Sequence, residues 1–137
     1  MNYKLTYFLL LLIAGAIMIV LLFPPINNPL IVETRPSKLV LFNNTADTLQ
    51  YAIFEHNASR VTNWEPCDNP QLCFNPGIRP GAAQSIPYLT IPRWYPSAEI
   101  VVYWWRLLPD SSAENGYSID GPYQETAFTP NKPLVGT

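Results

Sequence analysis

A chain of 137 residues with 48% hydrophobic and only 13% charged positions carries enough apolar surface for a core, which excludes the disordered class for most of its length. An apolar leader leaves room for one domain of about a hundred residues. The net charge of −2 is spread without acidic or basic blocks, and phosphate binding needs clustered Lys and Arg, so nucleic acid is not expected as a partner.

Residues 1–4 read as a short cytoplasmic N-terminus, followed by a run from Leu5 to Phe23 of 19 residues without a charge. As a helix this run spans about 28 Å, close to the hydrocarbon thickness of a bilayer. A transmembrane helix over 5–23, serving as an uncleaved signal anchor, is the expectation, with Pro24-Pro25 as its stop. The competing reading is a secretory signal cleaved after Ala16, at Ala14-Gly15-Ala16. Against it, cleavage there leaves the apolar stretch Ile17 to Phe23 as a new N-terminus.

Fifteen prolines, about twice the usual share, argue against long helices and central strands wherever they fall. Residues 24–37 carry four of them and read as an extended spacer. The windows Ser37 to Glu65 and Ser97 to Leu108 are free of proline, and regular elements are expected there. The domain is accordingly expected over 38–128. Lys38 to Phe42 is a short apolar run ending in the turn-forming Asn43-Asn44-Thr45-Ala46-Asp47. Thr48 to His56 alternates, with Leu49, Tyr51 and Ile53 on one face and Gln50, Ala52 and Phe54 on the other, the period of a half-buried strand. The pair reads as a hairpin or as a corner between sheets.

Trp64 to Pro80 is loop-like and ends in Pro76-Gly77 and Pro80-Gly81, each suited to a turn with positive φ after proline. It holds the only two cysteines, Cys67 and Cys73. An even count beside a secretory-type leader reads as one disulfide in an oxidising compartment. The pair tips the orientation, because Lys4 on one side and Arg35 and Lys38 on the other nearly balance the positive-inside count. The expected location is a single-pass membrane protein, N-terminus cytoplasmic, with the C-terminal domain periplasmic or extracellular.

Ala82 to Ile91 is expected as a strand confined to an edge, or broken, by Pro87. Ile100-Val-Val-Tyr-Trp-Trp105 is the most apolar stretch of the domain and the expected central strand. A helix over 97–108 is its rival, since Ile100, Tyr103, Trp104, Leu107 and Leu108 also fit helical spacing. Asn115-Gly116 suits a hairpin turn. Tyr117 to Asp120 and Tyr123 to Phe128 supply one or two final strands, and the tail 129–137 reads as loose. Five to seven short strands without crossover helices give an all-β class, a small two-sheet sandwich resembling the broad immunoglobulin-like or fibronectin-like architecture.

Catalysis needs a base beside a nucleophile or acid, and the chain has one histidine, His56, at a strand end and no nucleophile signature. A closed zinc site wants four ligands, and Asp110, Ser112 and Glu114 lack the glycine and glutamate positions of a calcium loop. No enzyme activity, no cofactor and no metal are expected. Two sequons, Asn43-Asn44-Thr45 and Asn57-Ala58-Ser59, could accept glycans. The surplus is aromatic. Arg93, Trp94 and Tyr95 lie in a loop bracketed by prolines, and Trp105 beside Arg106 is expected on an outer sheet face. These five residues form the candidate surface for binding another envelope or membrane protein. The alternative is a ligand- or carbohydrate-binding module, with Trp94, Tyr95 and Trp105 stacking on a small ligand.

Overall fold

A computed structural model describes residues 3–22 and 27–131, with side chains of 19–22 left undescribed. Helix α1, Tyr3–Leu22, forms where the apolar leader predicts a helix; the double proline meant to stop it lies outside the described residues. Its described side chains, Tyr3 to Met18, are exposed on every face. Among the described residues no helix is long and apolar enough to cross a membrane. The structure thus gives a helix at the expected place.

The rest is mostly β, in two antiparallel three-stranded sheets, an arrangement consistent with a β-sandwich. One sheet has the order β1-β2-β4, built from β1 (Leu30–Thr34), β2 (Lys38–Asn43) and β4 (Ala83–Pro87). The other has the order β3-β5-β6, from β3 (Leu49–Glu55), β5 (Glu99–Pro109) and β6 (Tyr117–Phe128). The short link between β2 and β3 is therefore a corner that passes the chain from one sheet to the other. The expected immunoglobulin-like or fibronectin-like class is not identified beyond this architecture.

β5 is the central strand of its sheet, and the rival helix is absent. Its register with β3 runs from Leu49↔Arg106 to Glu55↔Ile100, and with β6 from Glu99↔Phe128 to Pro109↔Tyr117, with a bulge between Trp104 and Arg106. Alternation sends Ile100, Val102 and Trp104 inward, where they meet Leu30, Leu39, Leu41, Leu49, Ile78, Tyr88, Ile91 and Ala98. Burying each large aliphatic of this set is worth about 1.5–3 kcal/mol.

Three expectations are corrected. The spacer 24–37 contains β1, paired with β2 from Leu30↔Asn43 to Thr34↔Leu39; Leu30-Ile31-Val32 is apolar, with Ile31 and Val32 β-branched, between prolines that bracket it without interrupting it. The tail is not loose at its start. Thr129 is buried, its N–H donates to the Ala98 carbonyl at 3.0 Å, and the Pro130 carbonyl accepts from the Ser97 N–H at 3.1 Å; residues 132–137 lie outside the described residues. A six-residue helix, α2 (His56–Val61), follows β3 directly. Its start is held by Glu55, whose carboxylate accepts from the Asn57 and Ala58 N–H groups at 3.0 Å each. Glutamate is not a favoured cap, so no sequence signal announced this turn.

The corner is fastened by Asn43, which is completely buried. Its amide donates to the carbonyls of Asp47 (2.7 Å) and Ile78 (2.8 Å), and its Oδ1 accepts from the N–H and hydroxyl of Thr45 (2.8 and 2.7 Å). All four bonding capacities of the side chain are met. Asn43 is also the acceptor of the first sequon, and its buried, engaged amide is closed to modification in the folded chain.

Candidate functional site

The five residues expected to form a binding surface are not brought together. Arg93 is exposed with φ 61°, and Tyr95 is exposed. Trp94 folds back onto the core, stacked on Tyr88 at 5.3 Å with 13° between the rings. Its indole N–H donates to Thr129 Oγ1 at 3.1 Å. Trp105 does lie on the face opposite Trp104, as alternation requires, yet it is only 3% exposed. The loop that carries the disulfide covers it, and its indole N–H donates to the Cys67 carbonyl at 2.9 Å. A stacking platform of Trp94, Tyr95 and Trp105 is therefore not assembled. Arg106 is held by Asp120, with Nε donating to Oδ2 at 2.8 Å, and reaches Asp47 at 3.4 Å. The Tyr123 hydroxyl donates to Asp120 at 2.6 Å. That bond and then Arg106 hold the Asp120 carboxyl below its ordinary pKa. This network ties β5 and β6 to the corner and leaves Arg106 little freedom to bind a partner.

The expected disulfide is present, joining Cys67 and Cys73. Asn69 organises the loop between them, its carbonyl accepting from Leu72 N–H at 3.0 Å and Cys73 N–H at 3.2 Å. Beneath the loop, Trp64 packs on Tyr103 at 4.6 Å, Phe54 at 5.5 Å and Trp105 at 6.1 Å. This second aromatic layer sits on the outer face of the β3-β5-β6 sheet. Phe54 and Tyr103 are neighbours there because both belong to the outward set that alternation predicts.

Two side chains of the same loop have no cover. Leu72 is 79% exposed and Phe74 is fully exposed. Phe74 stands at the mouth of a groove of about 440 Å³ lined also by Tyr51, Ile53, Phe54, Ile86, Ile91 and Pro92. The remaining lining residues, Ala52, Asn75 and Thr90, are likewise uncharged, and burial raises the Tyr51 phenol above its ordinary pKa. The groove lies between β3 on one side and, on the other, Ile86 of β4 with the turn that follows it.

The loop after the disulfide brings Asn75 to β3, where its amide donates to the Tyr51 carbonyl at 3.0 Å. Leu49 and Ile78 then exchange both backbone bonds, at 2.8 and 3.0 Å. Gly77 allows this approach. Its φ is +76°, and a Cβ there would stand 2.8 Å from Gln50 Nε2 and Thr48 Cγ2 and 2.9 Å from the Leu49 carbonyl. The turns at Pro76-Gly77 and Pro80-Gly81 thus have the positive φ expected of them, 76° and 70°.

The groove escaped sequence reasoning because its walls are far apart in the chain. Its readable signs are Leu72 and Phe74, apolar side chains among polar and proline residues of the loop. Among the described residues no three His, Cys, Asp or Glu side chains group as metal ligands, and His56 stands 3.5 Å from Glu99 at the surface. No protein-family model, curated protein or solved structure matches this chain.

Proposed function

We propose that this chain is a non-enzymatic accessory domain, tethered to a membrane through α1, that binds another envelope or membrane protein on the side of the sandwich bearing Phe74. The observation that carries the reading is the full exposure of Phe74, with Leu72 near it, on a disulfide-tied loop beside an uncharged groove. Phe74 and Leu72 together with the uncharged groove make an apolar patch of the kind partners cover, and burying the phenyl ring would be worth about 1.5–3 kcal/mol. Tethering is supported by the sequence of α1 and the residue after it, uncharged from Leu5 to Phe23, and by a described surface that is apolar all round, as in a lipid-facing helix. The disulfide supports an oxidising compartment for the domain and hence a cytoplasmic N-terminus.

The test is association in mild detergent. Full-length protein extracted from its native membrane should run with a second protein, and that association should be lost in Phe74→Ser and Leu72→Ser while persisting in Tyr95→Ser. A chain that runs alone, or an association indifferent to Phe74 and Leu72, would refute the reading. Carbonate extraction should leave the chain in the membrane fraction, and its release would refute the tether.

A further inference from the structure

A two-sheet sandwich has four edge strands, and the unpaired N–H and C=O groups along an edge are a template for another chain unless something blunts them. Three edges here are blunted. β1 carries Glu33 paired with Arg35 next to it, β4 ends at Pro87, and β6 carries Asp120, Pro122 and Glu125. β1 also lies against β6, so the two sheets meet on that side.

β3 has no such protection between its ends, since Gln50, Tyr51, Ala52, Ile53 and Phe54 include neither charge nor proline. Leu49 spends its N–H and C=O on Ile78, so with the antiparallel alternation it is Gln50, Ala52 and Phe54 that bond to β5. Tyr51 and Ile53 therefore point their backbone groups away from the sheet. Asn75 takes the Tyr51 carbonyl, and among the described residues no bond outside the strand ladders reaches the Tyr51 N–H or the N–H and C=O of Ile53. The free edge is a short slot, closed at one end by Asn75 and at the other by α2.

Resting on the interaction role proposed for this side of the domain, we infer that β3 receives an extended, uncharged segment of a partner protein as an added strand. The Tyr51 and Ile53 N–H groups donate to the segment's backbone and the Ile53 carbonyl accepts from it. Strand geometry gives the slot room for about three to five residues. The partner residue opposite Ile53 shares its face and directs an apolar side chain into the groove against Ile86, Ile91 and Pro92. Its neighbours in the segment fall on the outer face beside Phe54 and Phe74. A charged side chain in the groove would find no counter-ion, since the lining holds no charged residue. A second copy of β3 fits badly, because it would bring its own α2 and its own Asn75 loop against the ends of the slot.

Full-length protein in detergent micelles is panned against displayed random linear nonapeptides, and a selected peptide is synthesised for calorimetry and amide hydrogen exchange. The expected peptides have apolar residues at alternate positions and no charge between them. On binding, the Tyr51 and Ile53 amides should exchange more slowly, by about tenfold or more. N-methylation of alternate amides in the peptide should weaken binding about tenfold, the cost of one or two net backbone hydrogen bonds. This arm leaves the protein untouched, so it stands whether or not the companion variant Ile53→Pro folds; that variant lacks the outward donor and, if folded, should bind about tenfold more weakly. Binding without protection of the two amides, or insensitive to N-methylation, would overturn strand addition while leaving the interaction role intact. Failure to select any peptide would also overturn it, as would protection of the same amides by raising protein concentration alone, which would make a second copy the occupant.

Discussion

Replacing Asn43 probes how much of the fold depends on one buried side chain. Asn43→Ala removes four hydrogen bonds, two given to the Asp47 and Ile78 carbonyls and two taken from Thr45. Each is worth about 0.5–1.5 kcal/mol net, and the Ile78 carbonyl keeps only its bond from the Leu49 N–H. A loss of about 3–4 kcal/mol is expected. For a domain of this size that lowers Tm by about 15–25 °C, read by far-ultraviolet circular dichroism and by urea titration. Asn43→Asp sharpens the test, because it keeps the shape and replaces the amide donor with an acceptor facing two carbonyls at 2.7 and 2.8 Å. Burial and the carbonyls favour the protonated acid, so the folded pKa of the introduced carboxyl lies above its unfolded value of about 3.9. The sign follows from that. Its contribution is intact below about pH 4 and is lost as pH rises through the folded pKa, so the difference between the variant and the parent should narrow in acid. A loss under 1 kcal/mol for Asn43→Ala, or a penalty for Asn43→Asp that does not shrink on acidification, would refute the role given to the corner.

The disulfide closes a loop so short that its removal in Cys67→Ser/Cys73→Ser should cost about 2 kcal/mol in the chain-entropy model. Because the loop covers Trp105, tryptophan emission should shift to the red at the same time; unchanged emission would mean that the cover does not depend on the bond. The Asp120 carboxyl is held down by Tyr123 and then Arg106. At Glu55, burial alone would raise the pKa, but the Asn57 and Ala58 N–H bonds outweigh it and hold the value low. Both groups therefore contribute stability above the unfolded carboxylate range of about 3.9–4.3 that is lost as pH falls toward their lowered values. Asp120→Asn and Glu55→Gln should each flatten the fall in Tm between about pH 5 and 2, and a parallel fall in variant and parent would reject this assignment. Trp94→Phe keeps the stack on Tyr88 and loses the bond to Thr129, for a cost of about 1 kcal/mol in urea denaturation. A cost no smaller than that of Trp94→Ala, about 3–5 kcal/mol, would contradict the separation of stack from hydrogen bond.

Where local pattern decides, the chain was legible. The apolar, β-branched run from Ile100 became the central strand, the alternation from Leu49 to Phe54 assigned both faces of β3, and Pro87 marked an edge. The cysteine pair was read from spacing and compartment. What could not be read depended on distant residues. Leu30-Ile31-Val32 becomes a strand only because β2 offers Leu41 and Phe42 across from it. Trp105 looks like an outer-face residue from its own neighbours and is buried by a loop some 38 residues earlier in the chain. Trp94 is claimed by Tyr88 and Thr129 together. The candidate site suffers most from this limit, since its walls come from β3, the disulfide loop and the turn after β4. Aromatic surplus pointed to binding, and of the three rings chosen Trp94 and Trp105 are engaged within the chain while Tyr95 is exposed, a difference that depends on partners distant in sequence.

The order of strands in the two sheets also bears on how the chain comes together as it is made. β1, β2 and β4 are all complete by Pro87, so that sheet can assemble while the remainder is still emerging. β3 cannot join a sheet of its own until β5 arrives about 50 residues later, and such non-local pairing is the slow part of folding a β protein. Until then β3 is an apolar strand with two open edges, the condition in which nascent chains aggregate. When β5 arrives it covers one edge of residues 49–55 and ends that exposure on that side alone.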